Sequence, residues 1–243
     1  MAWGTPQIGT RTASNVADPL SLNLPSYSAG DILFAVVAER PSVGGTGINV
    51  AGFTAGYTLL KSAEVDSGKV HLAIWAKVAG GSESAPSCDL NGANDSIGIM
   101  FSVSGGPTTI SVASDIVDDD SVVNNGYGAT YNISQLQPGV DNCLILWAVA
   151  GAFNNWTTAG CTRPSGSSDI LVDDTNSNYA GYNGVNLEIG YAIQTTKANT
   201  GNPDQYIDGL SPPTHAYVSI GLALKSSSLT VTPTMGRCIY ILP

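Results

Sequence analysis

Few residues in this chain are of types that do chemistry at neutral pH. Its two histidines, His71 and His215, are the only side chains able to serve as a neutral-pH base without a shifted pKa. Neither stands in a nucleophile motif. The nearest approach, Gly81-Ser82-Glu83-Ser84-Ala85, lacks the closing glycine of G-x-S-x-G. No H-E-x-x-H and no phosphate-cradling G-x-x-x-x-G-K-[ST] is present, so no enzyme activity is expected, and no cofactor. Paired carboxylates of glycosidase type are the one catalytic device that spacing alone does not address. His71 reads as a surface strand residue and His215 as a loop residue after Pro212-Pro213.

Two acidic clusters carry the hard oxygen donors that calcium takes: Asp115 with Asp118-Asp119-Asp120, and Asp169 with Asp173-Asp174. Neither has the D-x-[DN]-x-[DN]-G spacing of a calcium loop. A hydrated acidic loop is the better reading, and no metal site is expected. The best binding candidates are aromatic. Asn155 and Trp156 follow an apolar strand, while Tyr179, Tyr182 and Tyr206 lie in polar, amide-rich stretches. Flat rings beside amides suit sugar recognition, because rings cover apolar sugar faces while amides bind hydroxyls, and they equally suit protein contacts. Packing of their own loops is the alternative.

These residues must be positioned by strands. An apolar block, Gly30 to Ala38, recurs as Val140 to Ala150. Val70 to Val78 and Val185 to Ile193 follow, and then Ile97 to Val103 and Val218 to Leu224, with the offset growing from 111 to 115 to 121 residues. Two copies of one strand set that differ by loop insertions give that pattern. In Val70 to Val78 the even positions are apolar and the odd ones include His71, Trp75 and Lys77, which predicts one buried face and one facing water or a partner. Val185, Leu187, Ile189, Tyr191 and Ile193 form the matching row, against Asn186, Glu188, Gly190 and Gln194. Ile32 to Ala38 and Leu144 to Ala150 are apolar at every position, as in strands covered on both faces. No stretch has a helical stripe of ten residues.

The expected fold is therefore all-β, a two-sheet jelly-roll-like sandwich built from two related half-units with extended N- and C-terminal segments. Residues 1–24 form an N-terminal arm and first strand, 25–225 the sandwich with half-units of about 25–110 and 136–225, and 226–243 a C-terminal extension. In the arm Leu20-Ser21-Leu22-Asn23-Leu24 alternates as a half-buried strand does, before Pro25. The extension is apolar, with Leu229-Thr230-Val231-Thr232 and Cys238-Ile239-Tyr240-Ile241-Leu242. Such ends are better covered by a partner than exposed.

Charged residues make up only 12% of the chain, and nine basic against nineteen acidic residues give a net charge of −10. Nucleic acid would be repelled by that field. The four cysteines are spaced too widely for a zinc ribbon or a disulfide framework and are read as reduced, with Cys143 in the core. There is no basic and apolar leader after Met1 and no apolar run long enough to span a bilayer, so synthesis in a host cytoplasm is expected, with no membrane partner.

The succession "GDILFAVVAERP", "GFTAGYTLL", "VHLAIWAKVAGGSESAP", "DSIGIMFSVSG", and then a looser round ending "AYVSIGLALKSS", resembles a family of tailed-bacteriophage structural proteins. Those are capsid decoration proteins, head fibres and tail-associated adhesins of β-sandwich type. Gly56-Tyr57-Thr58 stands where the family has an aromatic Gly-Trp-Thr, and Thr162-Arg163-Pro164 takes that place in the second round. The resemblance carries no functional residue. It implies a non-enzymatic virion protein that assembles with itself, a trimer being expected, and with other virion proteins such as the major capsid protein. Decoration or cementing of the capsid exterior is the leading expectation; a tail or fibre adhesin that binds host surface carbohydrate is the alternative.

Overall fold

The computed structural model describes residues 2–14, 18–41, 47–65, 70–91, 95–124, 130–131, 136–151, 169–176, 184–197, 200, 206–207 and 217–227. Nearly all of its regular structure is strand. β1 (Gln7–Ile8), β2 (Thr12–Ser14), β3 (Leu20–Ser21), β4 (Ile32–Arg40), β5 (Thr58–Val65), β6 (Val70–Val78), β7 (Ser87–Cys88) and β8 (Asp95–Val103) belong to the first half. β9 (Ile116–Asn124), β10 (Thr130–Tyr131), β11 (Cys143–Gly151), β12 (Asp169–Asn176), β13 (Val185–Gln194), β14 (Tyr206–Ile207) and β15 (Tyr217–Lys225) belong to the second. Among the described residues the only α-helical turn, α1 (Val112–Asp115), lies between them.

The first sheet has the order β1-β8-β4-β6-β5, with β2 also on β8, and the second has the order β12-β13-β11-β15-β9. All pairs are antiparallel. Each half thus folds into its own sheet, with the same strand order. A jelly roll differs in passing successive strands from one sheet to the other; here the strands of each half stay in one sheet.

The pairing registers make the duplication exact to the residue. Ile32 faces Val78 and Val103, while Leu144 faces Ile193 and Leu224. The first block therefore matches the second at an offset of 112, one more than the sequence alignment suggests, and the other two strands match at 115 and 121. The extra residue is absorbed ahead of β11, where Asn142 has a φ of 57°. An offset of 111 would have turned every inward side chain of β11 outward, because side chains alternate with period two. Even a bulge is shared: register shifts between Leu59 and Lys61 in β5 and between Ile170 and Val172 in β12.

The two inward faces form one core. Ile32, Phe34 and Val36, with Leu72, Ile74, Ile99 and Phe101, pack against Leu144, Leu146, Leu187, Ile189, Ile220 and Leu222. Phe34 and Phe101 stack with centroids 4.9 Å apart. Each such side chain contributes about 1.5–3 kcal/mol on burial, so the shared register is strongly enforced.

The opposite face of the first sheet is not at the surface, which corrects the expectation for His71 and Trp75. Leu20 of β3, Cys88 of β7 and the loop residues Leu22, Ile48, Phe53 and Leu90 lie over Leu33, Ala35, Val37, Ala73, Trp75 and Met100 and form a second core. Pairing of β3 with β7 and the bond from Leu22 N to Pro86 O hold that cover in place. The alternation of Leu20 to Leu24 is thus used to bury Leu20 and Leu22, although only Leu20–Ser21 is regular strand. The outward row of β13 is corrected too, since Glu188 is buried.

Residues 3–4 and 226–227 meet the strands at one end of the sandwich. Gly4 N donates to Ser104 O, the Trp3 indole donates to Asn142 O at 3.1 Å, and Ser226 N donates to the same carbonyl. Ser227 N donates to Gly105 O. Trp3, nearly fully buried, therefore ties the end of β8 to the start of β11 across the two sheets.

Candidate functional site at the far end of the sandwich

At the end of the first sheet away from the termini, one polar row crosses the strands. Antiparallel register sets Glu64 of β5 beside His71 of β6, His71 beside Glu39 of β4, and Glu39 beside Ser96 of β8. Glu39, His71 and Ser96 are buried, and Glu64 is exposed. The cover is Gly47, whose φ of 76° no branched residue would adopt readily; a Cβ there would lie 2.9 Å from His71 Nδ1. The Asn91 amide donates to Gly47 O and the Asn49 amide to Asp89 Oδ2, which stitches the two covering loops together. Burial lowers the His71 pKa below its ordinary 6.5, with Glu64 drawing it back. One residue further along, burial lowers Arg40 and raises Asp95, while each charge opposes the other's shift. Cys88 is pushed up to about 12 by burial and by the nearby charges of Glu39, Asp89 and Asp18, so its thiol is no nucleophile at neutral pH. Glu39, His71 and Ser96 are thus closed off from solvent beneath the cover, and Glu64 at the end of the row is exposed.

Beside it lies an aromatic layer. Phe53 stacks on Trp75 with centroids 4.3 Å apart and meets Tyr57 edge-on. The Lys77 ammonium lies 5.7 Å from the Tyr57 ring centre and pairs with Glu83 at 2.5 Å. That pairing, with a bond from Gly80 N, holds the Glu83 carboxyl below the usual range. Tyr57 thus packs with Phe53 in the layer over Trp75.

The carboxylates of the first acidic cluster have separate partners. Asp115 accepts from Ser111 N at 2.7 Å, Asp118 from Gln137 N and Asp120 from Ser121 N, while Asp119 pairs with Lys61 of β5. Asp169, Asp173 and Asp174 lie along the edge strand β12, opposite Tyr191, Glu188 and Leu187. Among the described residues, no three His, Cys, Asp or Glu side chains are grouped to hold a metal ion.

Asn155, Trp156, Tyr179 and Tyr182, like His215, lie outside the described residues. The strands that bracket them are described. Gly151, where β11 ends, pairs with Asn186 and Tyr217, and Asn176, where β12 ends, pairs with Val185. β11 and β12, with β13 between them, therefore end on the same side of the second sheet, opposite the end where Trp3 and Ser226 meet Asn142. Tyr206 lies in β14, opposite Tyr131 of β10. Sequence reasoning missed Tyr131, which nothing but the pairing distinguishes. It also missed buried Glu39 and Glu188, whose one available signal is a carboxylate within an apolar strand run.

Comparisons with protein-family models, curated proteins and solved structures found no match to this chain. Among the described residues no helix is long and apolar enough to cross a membrane.

Proposed function

We propose that this protein is a non-enzymatic bacteriophage virion structural protein that decorates or cements the capsid exterior. The observation that carries the reading is polarity. Trp3, Gly4, Ser226 and Ser227 are fastened at one end of a duplicated sandwich, while β11 and β12, which precede Trp156 and Tyr179 in sequence, end at the other. Such a body suits attachment at one end and display at the other. Its low charge content and its resemblance to phage sandwich proteins point the same way. The partners are then further copies of the chain, as a trimer, and the major capsid protein, with the virion as its location.

The second reading, a tail or fibre adhesin for host carbohydrate, rests on Trp156, Tyr179 and Tyr182 following β11 and β12 in sequence, two strands that end on the same side of the second sheet. Labelling the protein in purified particles and imaging its position separates the two. Regular coverage of the head supports decoration; confinement to the tail tip overturns it in favour of the adhesin. Particles made without the protein should lose resistance to heat and osmotic shock if it cements the shell. Trp156→Ala should then leave adsorption to cells unchanged.

A further inference from the structure

Of the buried side chains in the polar row, His71 is the one whose charge changes near neutral pH. Its Nδ1 is closed off from solvent and has no hydrogen-bond partner among the described residues. Gly47 lies against that nitrogen, since a Cβ there would come within 2.9 Å of it. A neutral ring needs no proton on Nδ1, but the imidazolium carries an N–H at both nitrogens. Its Nδ1–H would then be a charged donor buried without an acceptor, which is costly.

Charged groups reach His71 from several elements. Glu64 of β5 and Glu39 of β4 flank it in the row, and Arg40 and Asp95 pair one residue further along. From the cover come Asp89, bonded to Asn49 and Asn91, and Asp18, bonded to Leu90 N. Asp66 and Lys69, between β5 and β6, lie outside the described residues. Glu64 favours the imidazolium, yet burial is the larger effect and keeps the pKa below 6.5.

The loop pressed on His71 is fastened separately from the two large sheets. Gly47 O accepts from the Asn91 amide, while Asn49 bonds Asp89 through both its backbone N and its side-chain amide. Ile48 and Phe53 of the same loop pack in the core that holds Cys88. Lifting the loop gives Nδ1 access to solvent and breaks these contacts, but no strand pair of either large sheet depends on them.

We propose that His71 is an acid-sensitive latch, whose protonation releases residues 47–53 from the first sheet and uncovers the core around Cys88 while both large sheets stay paired. Local openings of this kind take less free energy than global unfolding. The closed cover holds the lower His71 pKa, so it is favoured above the ordinary value and loses ground as the pH falls below it. Between about pH 7.5 and about pH 5.5 the open fraction should rise about threefold to tenfold, more for a lower closed-state pKa.

The test is labelling of the full chain with a dipyridyl disulfide, a thiol reagent that works in acid, over that window. Mass spectrometry locates the modified cysteines. The ratio of Cys88 labelling in the parent to that in His71→Gln cancels the reagent's own pH dependence, and buried Cys143 of the second sheet reports global unfolding. The ratio should rise about threefold to tenfold as the pH falls, with Cys143 unlabelled. A constant ratio overturns the latch, and so does Cys143 labelled in step with Cys88 in the parent. Should His71→Gln expose Cys143 at neutral pH, His71→Asn takes its place. Hydrogen exchange of the parent alone gives a second measurement: opening constants of residues 48–53, corrected for intrinsic rates, should rise over the window while those of Leu144 to Ala150 do not. Opening constants of residues 48–53 that are independent of pH overturn the latch without any variant.

Discussion

Gly190 of β13 pairs directly with Trp147 of β11, and a Cβ at Gly190 would come within 2.7 Å of the indole Cη2 and closer still to Cζ2 and Cε2. No flexible chain end lies there to give way. The obstacle is a ring in a residue only 2% exposed. Gly190→Ala must therefore either displace Trp147 or part the two strands. Forcing a methyl group into a packed face costs about 1–3 kcal/mol, offset in part by about 0.4–1 kcal/mol from the less flexible unfolded chain. If the ring is expelled outright, the loss approaches the roughly 3–5 kcal/mol of an emptied aromatic site. A net loss of about 1–3 kcal/mol should lower Tm by roughly 2–12 °C in a domain of this size. Urea denaturation monitored by tryptophan fluorescence is the assay, since the native indole environment should change along with the midpoint. The first sheet supplies a control. At the equivalent pair the large and small residues exchange strands: Trp75 of β6 faces Ala35 of β4. Trp147→Leu in the Gly190→Ala background should recover part of the lost stability, with a coupling of about 0.5–3 kcal/mol. A Gly190→Ala protein as stable as the parent, with unchanged fluorescence, would refute the packing argument.

Two further substitutions probe the chain-end tie and the polar row. Gly105 has a φ of 87°, and a Cβ there would lie 2.9 Å from the Ala2 carbonyl carbon and nearer to its oxygen, so Gly105→Ala should release the N-terminal arm. Limited proteolysis should then cut within residues 2–14 faster than in the parent, and equal cutting rates would count against the tie. His71 is held below its ordinary 6.5 by burial, so below that pH the unfolded chain binds more protons than the folded one. Stability should therefore be flat above the unfolded pKa, fall as the pH drops from there towards the lowered folded pKa, and level off below it. Glu39 and Glu64, the neighbours of His71 in the row, are present in parent and variant alike. The difference in urea midpoint between the parent and His71→Gln should thus change across this window; a difference independent of pH would remove His71 as the cause.

Much of this architecture could be read directly from the residues. Period-two alternation in Val70 to Val78 and Val185 to Ile193 fixes which side chains face the shared core, because a strand offers only two faces. Recurrence of the apolar block announces the duplication. Cys143, placed in the core from its apolar surroundings, is indeed fully buried. Other features depended on parts of the chain distant in sequence. The alternation shows that His71 and Trp75 share a face, but not that Leu20, Ile48, Phe53 and Leu90 come from three separate stretches to cover it. The offset of 112 could be settled only by pairing, since two all-apolar blocks align equally well one residue apart while their partners in β13 and β15 accept a single register. The same limit applies to the candidate site. Composition singles out aromatic and amide residues one at a time, whereas the opposition of Tyr206 and Tyr131 follows from strand pairing. Local sequence determines the period and hence the face of each side chain; long-range pairing and loop cover decide whether that face meets water, another sheet or another chain.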